Sequence, residues 1–247
     1  TTGAGNDTVV VSALSALDTY TLGEGTDRVV VTDVGSKQAV KLVGVEQVEA
    51  RVAGTNLNLT QAANVNLIAV TEGASIANVT AVKSGTTLAF EGVGAANAAA
   101  GVTPTFGVTN FNLANATGST DVINVTFGNA GVQVGTGGAI AIGALTNTGN
   151  NVETLNFNFS DVGADDTVTI ASINVGTAAR ALNFTSDSKV TVTGAMAMTG
   201  LTSVDATGVK DAFTANVGTV GAAANVSVLT GGSGNNNVTV TKAVDAA

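Results

Sequence analysis

The chain has no cysteine, no histidine and no tryptophan, and only one proline (Pro104) and one tyrosine (Tyr20). Without Cys and His there can be no disulfide, no thiolate or imidazole zinc site, no thiol nucleophile and no imidazole general base. A chain free of cysteine need not be cytosolic; a secreted protein held by calcium and strand ladders would have the same composition. Aromatic residues are 4 % of the total although 45 % of residues are hydrophobic. Val, Ala, Leu and Ile must therefore fill the interior, which suits thin repetitive layers better than one large globular centre. Charge is scarce too, at 11 % of residues, with 18 acidic against 9 basic and a formal net charge of −9. Lys37, Lys41, Arg28 and Arg51 are scattered, and the absence of a basic stripe argues against nucleic acid as a partner. No apolar run approaches the roughly 18 residues of a membrane-spanning helix, so no membrane insertion is expected. The sequence opens in mid-motif at Thr1, with neither signal peptide nor initiator Met, and so reads as a segment of a larger protein.

What is abundant is glycine, with 31 residues. The turns fall to Gly, Asn, Asp and Ser, a composition for many short strands rather than helices. One phrase stands out: G-A-G-N-D-T-V-V-V from Gly3 to Val11, repeated as G-E-G-T-D-R-V-V-V from Gly23 to Val31. A third copy, G-S-G-N-N-N-V-T-V from Gly232 to Val240, carries Asn236 where the others carry Asp. The alternate glycines let the backbone turn tightly at positive φ, and the β-branched run that follows is a strand. Glycine-rich acidic turns feeding short strands are the nonapeptide signature of a calcium-binding parallel β-roll.

The fold predicted is all-β, a parallel β-helix or β-roll solenoid with irregular inserted loops. Asp7 and Asp27 stand about one coil apart, so stacking should place one almost above the other, with Asp18 roughly on the opposite side of the coil. Carboxylates brought together in a turn repel unless a cation lies between them. Calcium fits better than magnesium because it accepts a flexible set of oxygen ligands, backbone carbonyls included. The candidate ligands are Asp7 and Asp27 with the carbonyls near Gly3, Gly5, Gly23 and Gly25. Asp18, Asp121, Asp165 and Asp166 are further acids in similar turns, and the Asn copy at Gly232 to Asn236 should bind weakly or not at all.

A looser repeat covers the middle of the chain: G-V-E-Q-V-E from Gly44, G-V-T-N-F-N from Gly107, N-V-E-T-L-N from Asn151 and G-L-T-S-V-D from Gly200. Each alternates apolar and polar residues as a half-buried strand does. Each is followed by a second turn, beginning at Gly54, Gly118, Gly163 and Gly208, and by a further strand such as Val122 to Val125 or Thr167 to Ile170. The uneven spacing implies loops inserted around Gly92 to Pro104, where A-A-N-A-A-A could form a helical turn or, given its flanking glycines, a loop, and around Gly135 to Asn150. The organisation expected is calcium-roll coils over 1–43, degenerate solenoid repeats over 44–230 and the start of a further roll coil over 231–247.

The glycine-acid phrases resemble the repeats-in-toxin class of secreted proteins. Asn151 to Phe159 and Gly200 to Gly208 look like one branch of it, the crystalline surface-layer proteins and large adhesins that Gram-negative bacteria export by one-step (type I) secretion. Thr2 and Leu22 stand where that consensus has a first glycine, which implies isolated calcium sites rather than a continuous ladder. The resemblance implies an extracellular protein at the bacterial surface that folds on meeting calcium and assembles with copies of itself into a two-dimensional layer. It also implies a separate region that anchors the layer to lipopolysaccharide. The low hydrophobicity of each strand and the mutually repelling acids would keep such a chain unfolded where calcium is low, and binding would add stability by mass action.

The leading expectation is thus a structural, non-enzymatic lattice segment; a calcium-stabilised adhesin or biofilm stalk would share the same repeats. A polysaccharide-active β-helix enzyme is the less favoured reading. Its raw materials are limited to Asp165 with Asp166, Glu46 with Glu49, Arg51 and Arg180, and adjacent acids on a strand face opposite ways. The T-V-T triplets at Thr167 to Thr169, Thr191 to Thr193 and Thr239 to Thr241 would make an ice-binding face only if they stacked in register; strand composition accounts for them otherwise. The Asn-x-Ser/Thr triplets at Asn58, Asn78, Asn124 and Asn237 likewise follow from a chain rich in Asn and Thr.

Overall fold

The computed structural model describes residues 3–12, 14–34, 39–71, 73–91, 105–115, 117–127, 139–159, 167–196, 198–221 and 225–242. Among them the regular structure is all strand, and every strand pair is parallel. Two long ladders alternate along the chain. One has ten strands: β1 (Thr8–Val11), β3 (Arg28–Val31), β5 (Gln47–Ala50), β7 (Leu67–Thr71), β9 (Thr87–Glu91), β12 (Val122–Phe127), β14 (Thr154–Phe159), β16 (Ala181–Ser186), β18 (Ser203–Val209) and β20 (Ser227–Thr230). The nine-stranded ladder runs through β6 (Thr55–Asn58), β8 (Ile76–Val82), β11 (Thr109–Leu113), β13 (Ala139–Asn147), β15 (Thr167–Asn174), β17 (Lys189–Val192), β19 (Phe213–Val220) and β21 (Asn237–Lys242), with β10 (Thr105–Phe106) beside β13. A short third ladder joins β2 (Thr19–Thr21) to β4 (Lys41–Val43). This is the parallel β-helix or β-roll architecture expected of the repeats.

Alternation builds the interior. In β14 the residues Leu155, Phe157 and Phe159 point inward while Thr154, Asn156 and Asn158 point out. The inward residues of both long ladders merge into one apolar core of Val, Leu, Ile and Phe. Each such side chain, once buried, contributes about 1.5–3 kcal/mol. In-register pairing turns the few aromatics into stacks. Phe157 lies opposite Phe184, their rings parallel with centroids 4.5 Å apart, and Phe213 follows at 4.8 Å. Phe90, Phe106 and Phe127 form a separate edge-to-face group.

The first coils are tight, with hydrogen-bonded partners 20 and 19 residues apart; Asp121 and its partner Glu153 are 32 apart. One expectation is corrected. The region Gly135 to Asn150 is not simply an inserted loop, because β13 occupies most of it and pairs with β15 over seven residues. Its run A-I-A-I-G-A-L-T-N alternates and supplies the buried Ile140, Ile142 and Leu145. The four repeats each feed a strand and divide between the two sheets. Those at Gly44, Asn151 and Gly200 feed β5, β14 and β18 of the ten-stranded sheet, whereas that at Gly107 feeds β11 of the other. Alternation tells a strand which side to bury but not which of two sheets to join. The region Gly92 to Pro104, with A-A-N-A-A-A, and the turn at Gly163 lie outside the described residues.

Candidate metal centre

The acids of the repeated phrase stand at one corner of the coil, on the residue just before each strand of the ten-stranded sheet. Parallel register sets them in a file. Thr8 faces Arg28 and Arg28 faces Gln47, so Asp7, Asp27 and Glu46 follow one another along the stack. Backbone bonds hold the file, from Arg28 N–H to the Asp7 carbonyl at 2.8 Å and from Gln47 N–H to that of Asp27 at 3.0 Å. The glycines make this approach possible. Gly25 has φ +139°, and a Cβ there would sit 2.3 Å from the Gly5 carbonyl oxygen. The two turns lock further through Gly5 N–H to Glu24 O at 2.7 Å and Thr26 N–H to Asn6 Oδ1 at 2.9 Å.

Asp27 and Glu46 each accept a backbone N–H from the coil before. Asp27 is fully buried; its Oδ1 accepts from Asp7 N–H at 2.8 Å and its Oδ2 from Gly23 N–H at 3.3 Å. Glu46 Oε2 accepts from Asp27 N–H at 2.9 Å. The same arrangement recurs where Glu153 Oε2 accepts from Asp121 N–H at 2.8 Å. Charged acceptors make such bonds stronger than neutral ones. Asn236 does the equivalent work on the other sheet, accepting from Phe213 N–H at 2.8 Å. Its neutrality shows that closing the turn needs a side-chain oxygen but no charge.

Two carboxylate oxygens at these corners remain unspent. Asp7 Oδ2 and Asp121 Oδ2 are both buried, and neither meets a hydrogen-bond donor. A buried anionic oxygen without a partner is costly. The donor chemistry at Asp7, a carboxylate oxygen that no protein donor meets in a glycine-rich turn, fits a hard cation that prefers oxygen. Asp27 fits less well than its sequence suggests, since both its oxygens already hold amides. Among the described residues no three acidic side chains converge as a ready-made metal group. Any ion at this corner would take most of its ligands from the backbone.

Of the other expected ligands, Asp18 stands apart from this corner. Asp18 caps its own turn, its Oδ2 accepting from Ser15 N–H at 2.8 Å, and together with burial it pushes the neighbouring Tyr20 phenol above its ordinary range. Burial is the larger cause. Gly3, Gly5, Gly23 and Gly25 do lie in the stacked turns. Asp121 stands in the equivalent file with Glu153, while Asp165 and Asp166 are outside the described residues.

Glu46 and Glu153 belong to the corner although the glycine-acid phrase does not mark them. The signal was available: both are the third residue of the looser repeat, in G-V-E-Q-V-E and N-V-E-T-L-N. The same position holds Thr202, whose hydroxyl donates to Arg180 O at 2.9 Å, and Thr109, which is buried with an unpaired Oγ1. Also unmarked is an ion network on the outer face of the ten-stranded sheet. Arg28 Nη1 donates to Glu49 at 2.9 Å and to Glu91 at 2.7 Å, and Arg51 pairs with the opposite oxygen of Glu49. The Glu91 hydrogen bonds are the main cause that pushes the Arg28 guanidinium further up, against the opposing effect of burial. Glu46 and Glu49 thus serve different sites, one at the corner and one on the face.

Comparison with protein-family models, with curated proteins and with solved structures finds no match.

Proposed function

We propose that this chain is a structural segment of a calcium-dependent bacterial surface layer, acting outside the cell through contacts with copies of itself. The observation that carries the calcium part is the buried, unpartnered Oδ2 of Asp7 in the stacked glycine turns. A cation there neutralises an oxygen that no protein donor reaches, and it stiffens the first corner of the solenoid. Asp121 Oδ2 supports the same chemistry at a second corner. The lattice part rests on the resemblance of the repeats and on the architecture. A stack of short parallel strands puts its bulk into shape and surface, and each coil contacts only its neighbours.

Circular dichroism and sedimentation of the chain, first with chelator and then with millimolar calcium, test this reading. Strand signal, thermal stability and assembly should all rise with calcium, by about 2.7 kcal/mol in stability when calcium is a hundredfold above its dissociation constant. Asp7→Asn should remove most of that gain. A chain that is folded, monomeric and indifferent to calcium would sink the proposal and leave a passive stalk as the better account.

A further inference from the structure

Outward polar side chains are treated in opposite ways on β12, β14 and β16 of the ten-stranded sheet and on β17, β19 and β21 of the nine-stranded one. On the ten-stranded sheet Asn124, Asn156 and Asn183 stand in register and consume one another's amides. Asn183 donates to Asn156 at 2.9 Å, Asn156 to Asn124 at 3.0 Å, and Asn124 to Gly85 O at 3.2 Å. On the nine-stranded sheet β17, β19 and β21 carry two files of small polar residues. Thr191, Thr214 and Asn237 form one file through direct register. Thr193, Asn216 and Thr239 form the other, two residues further along each strand, with Asn216 facing Thr239.

Between the files runs a shallow trough of about 280 Å³, lined by these six residues with Val192 and Ala215, and no charged side chain lines it. Thr191, Thr214, Asn237 and Thr239 make no side-chain hydrogen bond within the protein. The Thr193 hydroxyl reaches the Ile170 and Ala171 carbonyls of the neighbouring coil, and Asn216 Oδ1 accepts from Gly218 N–H, which leaves its carboxamide NH2 free. Thr193, Asn216, Asn237 and Thr239 are exposed and the other two half-buried. The T-V-T triplets do not stack as triplets: Thr169 faces Thr191 while Thr167 faces Lys189. The first file therefore continues to Thr169 on β15 while Lys189 ends the neighbouring one, and the array stays narrow instead of forming a broad flat face.

We propose that this trough binds an extended, uncharged, polyhydroxylated chain, that is, a neutral glycan lying across the coils. Hydroxyl and carboxamide groups can each donate and accept, which is what sugar hydroxyls require of a partner. The lack of charge along the trough gives no purchase to a phosphate, a sulfated polymer or a cation. Successive strands lie roughly 4.8 Å apart, so the unspent groups recur along the trough and a longer ligand meets more of them. Calcium and lattice formation are not needed for this binding.

Backbone amide shifts of the folded chain, titrated with neutral α- and β-linked gluco-oligosaccharides of one to six units, provide the test. Shifts should cluster at residues 191–193, 214–216 and 237–239, with affinity rising as the oligosaccharide lengthens. Thr191→Val with Thr214→Val keeps the branched shape but removes two hydroxyls. It should weaken the longest ligand at least tenfold while the thermal midpoint stays within a few degrees. No shift across the panel, shifts elsewhere, or equal binding by the variant would overturn the proposal. So would binding only to a sulfated polysaccharide that salt abolishes, or shaping of ice crystals with no response to sugar.

Discussion

The same corner of the solenoid is acidic in some coils and neutral in others. Before β3, β5 and β14 the corner residue is Asp27, Glu46 and Glu153, each accepting an amide from the coil before. Before β7 and β18 it is Asn66 and Thr202, and the coils stack there no less well: the backbone bonds from Leu67 to Glu46 and from Thr87 to Asn66 continue the file unbroken. Charge is therefore dispensable for stacking a coil, and what the acidic corners add is an anionic oxygen. Where one is left over, as at Asp7 and Asp121, the solenoid stores a destabilising feature that a cation would relieve.

That contrast can be broken most severely on the acidic coils. Arg28→Met deprives Glu91 of its partner and leaves Glu49 with Arg51 alone, both carboxylates being nearly buried. The expected loss is about 3 kcal/mol in urea unfolding, because an abandoned buried charge costs more than the pair contributed; a loss under about 1 kcal/mol would mean the face is wetter than described. At the corner itself, Asp27→Ala strands the amides of Asp7 and Gly23 and should cost about 1–3 kcal/mol. Asp27→Asn keeps an acceptor, as Asn236 does natively, and without calcium should cost no more than about 1 kcal/mol. Equal losses in the two variants would show that charge and not hydrogen bonding holds the turn. At the neutral corner, Thr202→Val removes one exposed hydroxyl bond and should shift the same midpoint by less than either.

The smallest effect concerns Asp205, whose Oδ1 accepts from the Thr207 hydroxyl at 2.7 Å and its N–H at 2.9 Å. The hydroxyl bond first and the amide bond second hold this carboxyl below the usual range. Because the folded pKa is the lower one, the stabilisation is present above the ordinary carboxylate pKa and disappears as pH falls through the depressed value. Solvent screening at this open site keeps it small. A carboxyl-carbon NMR titration should show Asp205 returning toward the ordinary range in Thr207→Val; an unchanged titration would remove the hydroxyl as the cause.

Much of this was legible in the residues. The glycine-acid phrases of the first two coils foretold a stack of turns, and Asp7 does stand above Asp27, because a strand that follows a fixed-length turn has only one register that buries its apolar face. The role of the carboxylates was not legible. In the fold Asp27 accepts an amide on each oxygen, which its glycine-acid phrase does not announce, and Glu46 and Glu153 accept amides from a different motif. The Gly107 repeat looks like its three siblings yet joins the opposite sheet, a choice that the local alternation does not carry.

The sequence by itself determined that the chain forms short strands, which side of each is buried, and where glycine permits a turn. These are properties of alternation and backbone freedom, carried by a few adjacent residues. Only the tertiary structure decided which groups meet across coils. The Arg28 and Glu91 pair spans 63 residues, Phe157 and Phe184 stack through register, and Thr191 and Thr214 keep their hydroxyls free while Asn156 and Asn183 spend their amides. Such contacts depend on the length of every loop between the partners, and no local pattern records that.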